Sequence, residues 1–62
     1  MEETVFYRMI RHIHERLEVQ TEYIMSGGAR NYEEYTRAIA RCTELRELEE
    51  VVKDMESRYI DQ

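Results

Sequence analysis

The two glycines of this chain are adjacent, at Gly27 and Gly28, and the chain contains no proline. Because glycine and proline interrupt helices more often than other residues, this pair divides the sequence into two long uninterrupted segments. Glycine also adopts the left-handed backbone that commonly ends a helix. The sequence therefore predicts a helix over about residues 2–25, a turn over 26–31 and a second helix over about 32–60.

Apolar residues before the turn recur at helical spacing. Phe6, Ile10, Ile13 and Leu17 are separated by steps of four and three, as on one face of an α-helix. A second and weaker apolar row lies about 100° around the same helix. Its members are Val5, Met9, Val19 and Tyr23. The first helix is thus apolar over more than one face.

After the turn, the apolar pattern is a heptad. Apolar residues recur every seven positions from Ala38 to Tyr59, and Leu48 and Met55 form a second row between them. Such a pattern predicts a left-handed crossing of about 20° against a partner helix. We expect the row to be less regular near the turn, where Arg41 interrupts it.

Polar residues support the second helix. Asn31 is expected to be its N-cap, and Glu34 stands where a capping box has its acidic residue. Three acid–base pairs with a spacing of four residues are expected to stabilise its exposed surface: Glu33–Arg37, Glu49–Lys53 and Asp54–Arg58.

The length of the chain makes a single hairpin an incomplete fold. A short turn forces the two helices antiparallel, and each helix then buries only one face. A chain of 62 residues seldom forms a sufficient core alone, and its one cysteine cannot form an internal disulfide. The predicted fold class is all-α: one domain over residues 1–62, an antiparallel two-helix hairpin that pairs into a four-helix bundle. A homodimer is favoured, and docking on a larger protein is the alternative.

The residues expected to carry contacts between helices or between copies lie on these apolar rows. They are Phe6, Ile10, Ile13, Leu17, Tyr35, Cys42, Leu45, Leu48, Val52, Met55 and Tyr59. We expect Cys42 to be a small buried side chain, since no histidine is predicted beside it. His12 and His14 point about 200° apart on a helix and cannot share a metal ion. No motif for catalysis is present, so we predict no enzymatic activity and no cofactor.

Charge and hydropathy limit the partners. Acidic residues outnumber basic ones by 14 to 9, which disfavours nucleic acid as a partner. One alternative remains a nucleic-acid-binding hairpin dimer that uses Arg8, Arg11 and Arg16. The other is a small regulator of a host enzyme, with an acidic surface formed by Glu44, Glu47, Glu49, Glu50 and Asp54.

No apolar run approaches the roughly 20 residues of a membrane span, and no signal peptide is visible. We therefore expect no membrane partner and a cytoplasmic location.

From Ile24 to Met55, a small-residue turn is followed by a Tyr-x-x-Tyr helix start and a leucine-rich amphipathic helix. The positions of this pattern are Gly27, Gly28, Tyr32, Tyr35, Leu45, Leu48, Val52 and Met55. The pattern resembles that of small, mostly uncharacterised helical proteins of tailed bacteriophages. Arg41 and Cys42 depart from it, where small residues are expected. The resemblance implies a role in the virion or its assembly, and hence a location in the host cytoplasm or the virion. The leading functional prediction is a non-enzymatic structural or interaction protein.

Overall fold

The structure is a computed structural model that describes residues 4–61. It contains two α-helices: α1, Val5–Met25, and α2, Tyr32–Ile60. The second helix and the turn have the predicted bounds. The all-α hairpin predicted from the sequence is confirmed, and no strand occurs within the described range.

The first helix begins later than position 2, where the sequence pattern placed its start. Thr4 Oγ1 accepts a hydrogen bond of 3.0 Å from the backbone N–H of Tyr7, as an N-cap residue does. The helix therefore begins at Val5. The predicted helical residues 2 and 3 lie outside the described residues.

The second helix has the predicted cap, with one difference. Asn31 Oδ1 accepts a hydrogen bond of 2.9 Å from Glu34 N–H, which confirms Asn31 as the N-cap. In a capping box, Glu34 would accept from the N–H of Asn31. Instead, Glu34 Oε2 accepts from the N–H of Arg30 at 2.8 Å and from the hydroxyl of Tyr23 at 3.4 Å. This carboxylate thereby joins the end of α1 to the beginning of α2.

The two glycines are needed in the turn for different reasons. Gly27 has a φ of 78°, in the left-handed region that L side chains rarely adopt. Its N–H donates to Ile24 O, and the N–H of Gly28 donates to Tyr23 O, which together form a Schellman motif. A Cβ on Gly28 would lie 2.5 Å from Cδ1 of Tyr23, so this position has no room for a side chain.

The antiparallel register follows from two contacts between the helices. The rings of Phe6 and Tyr59 have centroids 5.6 Å apart near the open end of the hairpin. Near the middle of α1, His14 Nε2 donates a hydrogen bond to Glu49 Oε2. Residues whose numbers add up to about 64 therefore lie at the same height along the hairpin.

The helices meet along one seam, which has heptad spacing on both sides. The seam residues are Phe6, Ile10, Ile13, Leu17, Gln20 and Ile24 from α1, and Ala38, Cys42, Leu45, Glu49, Val52, Glu56 and Tyr59 from α2. All are buried or partly buried except Tyr59, whose ring lies against Phe6. The seam supplies the hydrophobic contact that holds the hairpin together.

The structure corrects the predicted seam of α2. Leu48 and Met55 are 48% and 52% exposed, and the row of Cys42 and Glu49 takes the place beside Leu45 and Val52. The row of Leu48 and Met55 would bring Arg41 into the seam near the turn. The observed register instead places a small thiol there, and the carboxylate of Glu49 finds a hydrogen-bond partner in His14.

The hairpin is one helix thick. Its principal extents are 47 × 21 × 11 Å, and an α-helix with its side chains is about 10–12 Å across. The Cα radius of gyration is 14.5 Å, whereas a compact chain of this length has about 10.6 Å. Both broad sides of the hairpin are therefore open.

Candidate interaction surfaces

The two broad sides of the hairpin differ in composition. We define face A by the residues one position before each seam residue. They are Val5, Met9, His12, Arg16, Val19 and Tyr23 from α1, and Arg37, Arg41, Glu44, Leu48, Val51, Met55 and Arg58 from α2. Seven of these thirteen are apolar or aromatic. Because the helices are antiparallel, both rows lie on the same broad side of the hairpin.

Face B consists of the residues one position after each seam residue. They are Tyr7, Arg11, His14, Glu18, Thr21 and Met25 from α1, and Ile39, Thr43, Arg46, Glu50, Lys53, Ser57 and Ile60 from α2. Four of these thirteen are apolar or aromatic. Face A is therefore the more apolar side, and most of its apolar side chains are exposed.

The middle of face A contains a shallow cavity between the helices. Arg16, Gln20, Arg41, Glu44 and Leu48 are among the residues that line it. Neither arginine has an ion-pair partner among residues 4–61. An apolar surface with two available guanidinium groups is suited to contact with protein, since arginine is enriched in interfaces.

Face B is connected across the helices by a polar cluster. Glu49 lies in the seam with its side chain 15% exposed, and it contacts both His14 and Lys53, the latter at 3.9 Å. The spacing of four residues predicts the Glu49–Lys53 pair and also the pairs Glu33–Arg37 and Asp54–Arg58. The structure confirms the latter two, with nitrogen–oxygen distances of 2.6 Å and 3.0 Å. The contact with His14 depends on the register between the helices, and no local spacing indicates it.

The predicted contact residues divide into two groups. Those in the seam are Phe6, Ile10, Ile13, Leu17, Cys42, Leu45, Val52 and Tyr59. Leu48 and Met55 lie on face A, and Tyr35 is exposed near the turn. The structure therefore assigns the first group to the fold of the hairpin and leaves the other three residues available to a partner.

The arginines predicted to contact nucleic acid are spread over an arc of about 140° around α1. Arg11 lies over the ring of Tyr7 at 5.8 Å. Arg16 lies about 140° around the helix from Arg11 and about 80° from Arg8. The acidic set of α2 is divided too, because Glu49 lies in the seam and contacts His14.

Cys42 is a buried free thiol, as predicted, and His12 is exposed. Within residues 4–61, no group of three histidine, cysteine or acidic side chains is placed to hold a metal ion. Neither α1 nor α2 is long and apolar enough to cross a membrane.

Comparison with known proteins found no family model, no curated protein and no solved structure that matches this chain.

Proposed function

We propose that this chain is a non-enzymatic interaction protein that acts through helical self-association, as one half of a four-helix bundle. The observation that carries the proposal is the 11 Å thickness of the hairpin. Stable domains bury the apolar side of each helix between at least two layers, and this hairpin has one. A second layer would cover the exposed side chains of face A, such as Leu48 and Met55.

The exposed area supports the same proposal. The chain exposes 5432 Å² of surface, whereas a compact folded chain of its mass exposes about 4,300 Å². By the same scaling, a compact dimer exposes about 7,100 Å², so each copy would bury about 1,900 Å². The total area buried by the two copies then falls in the range of obligate homodimers, roughly 2,000–5,000 Å².

The resemblance to phage proteins adds a context to this proposal. In that context, the bundle would be a component of a virion or of its assembly, and its outer surface would contact a larger protein. The exposed tyrosines near the turn, Tyr32 and Tyr35, are suited to such a contact because tyrosine combines an apolar ring with a polar hydroxyl.

Thermal unfolding at several protein concentrations tests the proposal. If folding requires a second copy, the unfolding midpoint depends on concentration. We expect the midpoint to rise by about 10 °C over a hundredfold increase in concentration, from roughly 2.7 kcal/mol of added stability. A midpoint that stays constant while the helical circular dichroism signal is complete would contradict self-association.

A further inference from the structure

The α1 row of face A and the part of the α2 row opposite it, from Arg41 to Arg58, have patterns that are nearly symmetric about their midpoints. Arg37 lies nearer the turn, beyond the end of the α1 row. The row of α1 reads apolar, apolar, basic, basic, apolar, apolar, from Val5 to Tyr23. The row of α2 from Arg41 to Arg58 has a basic residue at each end and apolar residues in its centre. A two-fold axis brings each residue of one copy against the residue equally far beyond the midpoint in the other copy. A pattern that reads alike in both directions therefore places apolar side chains on apolar ones.

The two midpoints coincide in space. The α1 row is centred at about residue 14 and the Arg41–Arg58 part of the α2 row at about residue 49 or 50, and His14 and Glu49 are in contact. One two-fold axis across the middle of face A can therefore pass through the midpoints of both rows. This agreement between sequence symmetry and helix register is independent of the area argument.

We propose that a second copy of this chain packs on face A in the opposite direction, with α1 on α1, α2 on α2, and the two turns at opposite ends. This inference rests on the proposed function and specifies its partner and geometry. The pairs brought together are Val5 with Tyr23, Met9 with Val19, His12 with Arg16, Leu48 with Val51, Glu44 with Met55, and Arg41 with Arg58 of the second copy. Three pairs join apolar side chains, two join basic ones, and one is mixed.

The other two-fold stacking places both turns at the same end and α1 of one copy on α2 of the other. Residues at the same height then meet, and apolar or aromatic side chains face polar ones at five of six positions. These pairs are Val5 with Arg58, His12 with Val51, Arg16 with Leu48, Val19 with Glu44, and Tyr23 with Arg41. Burying a charged group without a partner is costly, so this stacking is disfavoured.

The proposed stacking brings Arg41 and Arg58 together, and an opposite charge lies beside one of them. Arg58 Nε is 3.0 Å from Asp54 Oδ2 of its own helix. Arg41 and Arg58 are exposed and lie at the ends of the paired rows, where long side chains can reach solvent. The repulsion between Arg41 and Arg58 is therefore weaker than the repulsion between two buried, unpaired charges.

Distances between the turns distinguish the two stackings. A single spin label on Arg30→Cys, with Cys42 changed to alanine, would report the separation of the turns by double electron–electron resonance. The hairpin is 47 Å long and 21 Å wide, so we expect about 40 Å or more for the proposed stacking and about 25 Å or less for the alternative. A mixture of chains labelled at Arg30→Cys and at Ser57→Cys should give a short distance in the proposed stacking only.

The outcomes separate this inference from the proposed function. A short distance between turn labels in a dimer would overturn the stacking and leave self-association intact. The absence of any dipolar signal at a concentration where the chain is folded would overturn both. Unchanged circular dichroism of the Cys42→Ala chain is the control for folding.

A charge placed on face A provides a second test. Val19 is 65% exposed in the hairpin, so Val19→Glu should leave the hairpin helical, yet it opposes Met9 of the second copy. We expect the dimer dissociation constant to rise by roughly 100-fold or more, since two carboxylates would be buried. Thr21→Glu, on face B of the same helix, is the matched control. Equal effects of both changes would contradict face A as the interface.

Discussion

Leu48 is half exposed in the isolated hairpin but would be buried in the proposed dimer. Burying a leucine side chain completely contributes about 1.5–3 kcal/mol. Leu48 is 48% exposed in the hairpin, so about half of that contribution, roughly 1 kcal/mol, is still available from a second copy. Leu48→Ala should therefore weaken the dimer by about 2 kcal/mol for two copies, which is roughly 30-fold in the dissociation constant.

The matched control for this change is Ile39→Ala. Ile39 is 40% exposed, close to the exposure of Leu48, but it lies on face B of the same helix. Both changes should cost the isolated hairpin a similar amount of stability, whereas only Leu48→Ala should change the dissociation constant measured by sedimentation equilibrium. A similar rise for both variants, or no change for Leu48→Ala, would refute the assignment of face A.

Three further predictions concern the hairpin itself, compared at one protein concentration. Val52→Ala should lower the free energy of unfolding in urea by about 2 kcal/mol, because Val52 is 1% exposed and the change leaves a cavity; a change near zero would contradict its place in the core. Glu49→Leu should raise the thermal midpoint, because an apolar residue replaces a partly buried carboxylate in the seam; a lower midpoint would show that its polar contacts stabilise the hairpin more. Gly28→Ala should lower the midpoint more than Gly27→Ala, because a Cβ at position 28 would clash with Tyr23. Gly27→Ala places alanine in the left-handed conformation, which costs about 1 kcal/mol. A larger loss for Gly27→Ala would contradict the clash at position 28.

The turn and the second helix could be predicted in detail because local chemistry determines them. Gly27 adopts the left-handed conformation, and Asn31 caps α2 through its side chain. The three ion pairs at a spacing of four residues also depend on one helix alone. The predicted capping box differs from the observed contact by one residue, because the carboxylate of Glu34 accepts from the N–H of Arg30 and not from that of Asn31.

The seam of α2 could be predicted only in part, because two registers share Leu45 and Val52. Hydropathy favours the row of Leu48 and Met55 as their companion. The register observed is set by both helices together, which place Cys42 near the turn and Glu49 beside His14. A contact between residues 35 positions apart leaves no periodic signal in the sequence.

The candidate surface shows the same limit. The apolar residues of face A other than Val51 belong to two separate rows that the sequence indicates, one on each helix. That they form one broad side with coincident midpoints follows only from the antiparallel register.

The mass of the chain in solution, measured by sedimentation equilibrium from low micromolar concentration upward, shows whether two copies associate. One chain has a mass of 7.6 kDa. We expect a species of twice that mass that dissociates on dilution, and that dissociates more readily in Leu48→Ala than in Ile39→Ala. A folded species with the mass of one chain at every concentration would contradict it.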